Sequence, residues 1–184
     1  MDRRDVVDKA LEVLAEVGLP DLTMRRLGNE LGVRQSALYH HFANKQALLG
    51  AVADEILARG PRSRGANAAW DAQVRARCVD LRNAVLAYPD GADVVSSMFA
   101  FGLGGVAPFD ALVQELAAAG LQEDLVRTSA HALLHYVYGH AVAQQTREHA
   151  LRLGAIDSGR GEGAVDDFEV GLGLIIDGIR LHVG

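Results

Sequence analysis

Apolar positions in the first third of the chain recur at helical spacing. Val6, Val7, Ala10, Leu11, Leu14 and Val17 fall on one face of "DVVDKALEVLAEVG", and Gly18 stands where such a helix ends. Thr23 has the chemistry of an N-cap for a short second helix that carries Leu27 and Leu31 and stops at Gly32. A third helix is predicted over about residues 34–42, burying Leu38 and Phe42 four apart. Asn44 then caps a fourth, with Leu48, Val52 and Ile56 at i, i+4 and i+8.

The Gly/Pro/Ser-containing stretch "GPRSRGANAA" interrupts the pattern, which resumes with Trp70, Val74, Cys78, Leu81, Val85 and Tyr88 every three or four residues. "YPDGAD" ends that helix, a short helical piece follows, and the glycines of "FAFGLGGVAP" demand a loop. Pro108 opens another helix with Phe109, Leu112, Val113 and Leu116, closed by Gly120. A longer helix is predicted over about residues 123–149, then a mobile loop in "ALRLGAIDSGRGEGAVDD". The last helix, about residues 166–182, places Phe168, Leu172, Ile175 and Ile179 along one side. No stretch reads as a strand and none repeats. The predicted fold is all-α: a helix-turn-helix head over residues 1–57 and a larger helical body over residues 58–184.

Composition narrows the class. With 49% hydrophobic and 23% charged residues in 184, the chain is an ordinary globular protein and not a disordered one. The charged start "MDRRDVVDK" lacks the apolar core of a signal peptide, and "VGLGLIIDGIRLHV" is broken by Asp177 and Arg180. A soluble cytoplasmic protein without a membrane partner is expected. Cys78 is the only cysteine, so an intrachain disulfide is excluded, and it reads as a small buried hydrophobe.

The formal net charge of −6 is unevenly spread. Residues 1–50 balance 7 Lys/Arg against 7 Asp/Glu, yet Arg25, Arg26, Arg34 and Lys45 gather around the single acid Glu30. A basic face on an acidic body is expected where one end meets a polyanion; a solvated helix surface is the alternative. Two short helices joined at "LGV" form a helix-turn-helix, whose second helix enters the major groove by its first residues. Those residues are Arg34, Gln35, Ser36 and Ala37, followed by Tyr39, His40 and His41. Arg and Gln make bidentate contacts to guanine and adenine edges, and Ala37 suits a thymine methyl. Tyr39 and Lys45 suit phosphate, as do the N–H groups at the helix starts near Thr23 and Asn44.

The run "LTMRRLGNELGVRQSALYHHFANKQALL" resembles the DNA-binding head of the TetR family of transcriptional repressors. It shares the Thr at the second helix start, "LGV" in the turn, "LYHHF", and "NK" before an apolar pair. The resemblance covers about residues 5–57 and sets Arg25, Gln35, Tyr39, His40 and Lys45 on positions that the family uses against DNA. Ser36 and Ala37 differ from the tetracycline-responsive members, so their operator does not carry over. "RNAVLAYPDGADV", "YGHAVAQQTREH" and "FEVGLGLIIDGI" are similar to the body of the tetracycline repressor branch. That implies a double-stranded DNA operator as partner, an effector pocket between helices, and a homodimer. The last two long helices are the predicted dimer-forming pair, in which Gly171 and Gly178 allow close approach of a second copy; packing inside one subunit is the alternative.

The drug itself does not follow from this resemblance. Where that repressor presents a His and a Thr to its magnesium-bound drug, this chain has Val95 and Met98. Arg77 stands for an amide, Leu81 replaces an aromatic, and Glu148 aligns with a metal-facing acid. A different small molecule is expected, in a cavity bounded by Arg77, Leu81, Met98, Phe101, Phe109, His131 and His135.

His131 and His135 have a metal-ligand spacing but lack a third ligand: His140 lies almost opposite, and His149 about 27 Å further along the helix by its rise. No cofactor or metal is expected. There is no nucleophile elbow, phosphate loop or dinucleotide fingerprint, so the chain does not read as an enzyme. A helical module whose head contacts protein is the other alternative, separable by salt dependence.

Overall fold

Residues 1–63, 68–157 and 167–183 are described by a computed structural model. Among them are nine α-helices and no strand, with one isolated antiparallel bridge between Leu121 and Val183. The helices are α1 (Arg3–Asp21), α2 (Met24–Glu30), α3 (Gln35–Leu38), α4 (Lys45–Arg59), α5 (Trp70–Leu86), α6 (Gly91–Ala100), α7 (Ala107–Ala118), α8 (Glu123–Arg152) and α9 (Phe168–Arg180). The fold is all-α. Two compact units form: Met1–Gly60 with Asn83–Ala107, and Pro61–Arg82 with Pro108–Gly184.

The first unit takes the helix-turn-helix segment together with α6. Helix α1 starts on a capping box: Asp2 Oδ1 accepts from the N–H groups of Arg4 (2.7 Å) and Asp5 (2.9 Å), and Asp5 Oδ2 accepts from the Asp2 N–H (2.6 Å). The Asp5 amide holds the Asp2 carboxyl below its ordinary range. Gly18 breaks α1 with φ +76°, and a further turn runs through Pro20. Asp90, itself left-handed at φ +57°, accepts the Leu19 N–H at 2.8 Å where the break leaves it unpaired. Helix α4 is capped by Asn44 Oδ1 on the Ala47 N–H (2.8 Å), and buries Leu48, Val52 and Ile56 as expected. It packs on α1 and α6. Gly50 of α4 meets the turn after α6 so closely that a Cβ would lie 2.2 Å from Leu103 O, and the adjacent Gly105 N–H donates to Asp54 Oδ1 at 2.7 Å.

In the second unit α8 pairs with α9. Val74, Cys78 and Leu81 are buried, as are Phe109, Leu112 and Leu116, the inner face of α8, and Phe168, Leu172, Ile176 and Ile179. Burial pushes the Cys78 thiol up to about 12, which fits a packing role. Ile176 takes the fully buried place expected for Ile175, which is half-buried; the stripe follows the 3.6-residue period. Polar ties join the ends of this unit: Arg180 Nη2 to Asp71 Oδ2 (2.6 Å) and Arg75 Nη1 to Glu169 Oε2 (3.0 Å).

Three expectations change. Helix α8 runs to Arg152 rather than 149, so the expected loop starts later; residues 158–166 of it lie outside the described residues. The third helix is one turn, Gln35–Leu38, not 34–42: beyond it the backbone makes i→i+3 bonds, His40 N–H to Ala37 O (3.4 Å) and His41 N–H to Leu38 O (3.0 Å), and a single i→i+4 bond, Phe42 N–H to Leu38 O (3.0 Å). At Gly171 the close neighbour belongs to the same chain. A Cβ there would sit 2.3 Å from Tyr136 Oη on α8, whereas one at Gly178 meets nothing within 4 Å.

Candidate nucleic-acid interface

The turn between α2 and α3 fixes how the recognition residues are displayed. Gly32, at φ +66°, closes a Schellman motif: its N–H donates to Asn29 O (3.1 Å) and that of Val33 to Gly28 O (2.9 Å). Gly28 lets the helices meet, since a Cβ there would lie 3.0 Å from Val33 O and 3.3 Å from the Gln35 nitrogen. Leu38 and Phe42 anchor the segment from below, exposed by 0% and 1%. From the far side Arg3 Nη1 donates to His41 O (3.1 Å), and its guanidinium carbon lies 4.2 Å from the Phe42 ring centroid. Arg3 was not legible as a support of this segment, because the contact joins residues 38 apart in sequence.

With the apolar anchors pointing in, the polar residues face out. Arg25, Arg34, Gln35, Ser36, Tyr39 and His40 are exposed, while Ala37, His41 and Lys45 are half-buried. Arg26 is half-buried and shares the lone acid, its Nε 3.9 Å from Glu30 Oε1. Among the described residues Arg25, Arg34 and Lys45 join no ion pair, so their charge is available to a polyanion. Thr23 is exposed, and its Oγ1 caps α2 by accepting from the Arg26 N–H (3.1 Å), which leaves its O–H proton to donate. Asn44 likewise occupies the Ala47 N–H. One contact unread in the sequence joins two expected DNA-facing residues: Gln35 Nε2 donates to Tyr39 Oη at 3.0 Å. Its only sequence signal was the i, i+4 spacing.

The residues expected to bind an effector divide between the units. Met98 is buried and Phe101 is 65% exposed in the first. In the second, Leu81 and Phe109 are buried, His131 is half-buried and His135 exposed. His131 lies 4.6 Å from the Phe109 ring and 5.9 Å from that of His135, centroid to centroid, and Arg127 caps Phe109 at 4.9 Å. Arg77 is engaged, its Nε and Nη2 both on Glu115 Oε1 (2.9 and 2.5 Å). A cleft of about 340 Å³ in the second unit is lined by Ser63, Asp71, Ala72, Arg75, Ala76, Val79 and Glu169, none of them in the expected set. Glu148 accepts from Gln144 Nε2 (2.9 Å), and no three His, Cys, Asp or Glu among the described residues converge on a metal position. No helix among them is long and apolar enough to cross a membrane.

Comparison with known proteins agrees with this geometry. Residues 6–52 match the bacterial regulatory proteins of the tetR family, and residues 64–158 the tetracyclin repressor-like C-terminal domain. The class A tetracycline repressor from transposon 1721 of Escherichia coli is 33% identical over 95% of this chain and 88% of its own length. The class D repressor of Escherichia coli is 44% identical, but the match spans 51% of this chain and only 44% of that protein. Among solved structures, BioQ with its natural double-stranded DNA operator has a TM-score of 0.85 at 40% identity, covering 99% of both chains. ActR from Streptomyces coelicolor has a TM-score of 0.81 at 26% identity, over 100% of this chain and 98% of that one. On both domains and nearly its whole length, the chain belongs to the TetR family of transcriptional regulators.

Proposed function

We propose that this regulator is a homodimeric repressor, held on a palindromic operator and released by a small molecule other than magnesium-tetracycline. The observation that carries the reading is the outward display of Arg34, Gln35, Ser36, Tyr39 and His40 on and beside a one-turn helix whose Leu38 is fully buried. Arg25 and Lys45 supply the sequence-independent attraction to phosphate, and Gln35 with Arg34 the reading of base edges. BioQ, similar over the whole chain, was solved on its operator, which supports the same use here.

The dimer is supported by an apolar stripe along α9 and its C-cap: Val170, Leu174 and Leu181 are 64%, 71% and 84% exposed, and a Cβ added at Gly178 would meet nothing within 4 Å. On α8 the small or polar residues Ala132, His135, Gly139 and Ala143 are exposed at matching intervals. Two copies joined there form a four-helix bundle and carry two heads for half-sites about 34–36 Å apart. Residues 1–57 act as the DNA-binding head and 58–184 as the effector and dimerisation body. Effector binding in the body shifts the heads out of register. A coupling of about 1–3 kcal/mol weakens operator binding by about 5- to 150-fold. Val95 and Met98 offer no ligand to a magnesium-bound drug, and Arg77 is already paired with Glu115.

The test is selection of bound duplexes from a randomised pool, with the mass of the free protein measured by sedimentation. A recovered palindrome and a particle of twice 19.6 kDa support the reading. An unenriched pool, or a monomer at every concentration, refutes it.

A further inference from the structure

The hydrogen bond between Gln35 and Tyr39 bears on which base the head reads. An exposed glutamine side chain can turn its terminal amide over. In one orientation it presents a donor and an acceptor side by side, matching adenine N7 and N6; by offering both hydrogens of Nε2 it can instead meet the two acceptors of guanine, N7 and O6. In this protein one Nε2 hydrogen is already given to Tyr39 Oη at 3.0 Å. That leaves at most one Nε2 hydrogen for a base, together with Oε1, a set that can match adenine and cannot offer guanine two hydrogens. Guanine would then set its O6 against Oε1, acceptor against acceptor. The phenol accepts in this bond, so its own proton is left to donate to a phosphate oxygen. Both side chains are exposed, with Tyr39 at 46%, and the i, i+4 spacing on α3 and its following turn holds the pair together without help from the core.

We infer that Tyr39 is a specificity-positioning residue: by holding the Gln35 carboxamide it commits each head to adenine over guanine at one base pair per half-site. The inference deepens the DNA-binding reading above and rests on it. Its substrate is B-form duplex with a purine at that step, and Tyr39 acts through Gln35 while touching the backbone itself.

Three selections from the same randomised duplex pool test it, using full-length wild type, Gln35→Ala and Tyr39→Phe. Wild type should enrich a palindrome with adenine at one step of each half-site. Gln35→Ala should lose preference at that step alone, which identifies it. Tyr39→Phe should keep the other positions and turn the same step into a mixture of adenine and guanine. In direct competition, the wild-type preference for A·T over G·C there is about 5- to 150-fold, the range of one bidentate contact, and Tyr39→Phe should bring it near parity. Thermal melts by circular dichroism should match wild type for both variants, as neither side chain is buried. A Tyr39→Phe pool identical to wild type, with weaker retention throughout, overturns the inference and leaves Tyr39 a phosphate contact only. So does a Gln35→Ala pool with no altered step. Failure of wild type to enrich any sequence is distinct from both and overturns the DNA-binding reading itself.

Discussion

Alanine at Gly178 separates a dimer through α9 from a chain that stands alone, by the sign of its effect. In the single chain, position 178 is inside α9 and a Cβ there meets nothing within 4 Å. Replacing a mid-helix glycine by alanine stabilises by about 1 kcal/mol. A lone chain of 184 residues should therefore melt about 2–4 °C higher. If the exposed stripe of Val170, Leu174 and Leu181 packs on a second copy, the added methyl enters a helix contact instead. Overpacking costs about 1–3 kcal/mol at a site, and two-fold symmetry places the change there twice. Some 2–6 kcal/mol then opposes association, and the dimer Kd should rise by at least about 30-fold. Sedimentation equilibrium over a range of protein concentrations reads this directly. A dimer of unchanged affinity with a raised Tm would show that α9 does not face its partner at Gly178. Gly171→Ala is the contrast: its methyl would press on Tyr136 Oη, which donates to Phe168 O at 3.0 Å, so it should destabilise each chain whatever its oligomeric state.

Other consequences are local. Gly50→Ala gains about 1 kcal/mol of helix propensity, but its Cβ would stand 2.2 Å from Leu103 O in a turn tied to Asp54. Backbone cannot rotate aside, so a net loss of about 1–2 kcal/mol should appear in urea unfolding; a more stable variant would refute the close packing. Arg3→Ala removes the donation to His41 O and the contact with Phe42, together about 1–2.5 kcal/mol of head stability. Duplexes of every sequence should be bound more weakly by it, and an unchanged melt and affinity would remove Arg3 as a support. Cys78, pushed from 9.0 up to about 12 by burial, should resist a thiol reagent at pH 8 until the chain unfolds. Because the unfolded thiol gives up its proton first, its effect on stability is flat below about pH 8 and becomes unfavourable as pH rises past 9. Rapid labelling of the folded protein would contradict this.

Helix starts and stops were legible because their causes are local. Thr23 and Asn44 cap where they were expected to, and Gly18, Gly32 and Gly120 take the positive φ that ends a helix run. The buried face of α4 follows directly from its spacing of apolar residues. What escaped the sequence is long-range or finely geometric. Asp90 on the Leu19 N–H joins residues 71 apart, and Asp54 on Gly105 joins residues 51 apart; no periodicity announces either. The length of α3 was overestimated because Leu38 and Phe42 are both buried whether or not the intervening turn stays α-helical. Gly171 and Gly178 look alike in sequence, yet only the fold shows that Tyr136 fills the space beside one of them. On the head, Arg25, Arg34, Gln35 and Tyr39 are exposed as their helix phase predicts, whereas Ala37, His41 and Lys45 are half-buried.

The most direct measurement is the salt dependence of binding to the selected duplex, followed by fluorescence anisotropy. In the proposed dimer Arg25 and Lys45 are each brought twice to phosphate, and four neutralised phosphates would correspond to a fall of about 10²-fold in affinity between about 50 and 200 mM salt. A steep loss of that order is the expected result. Affinity that stays level across this range, or no retention of duplex at the lowest salt, would contradict DNA binding through this head.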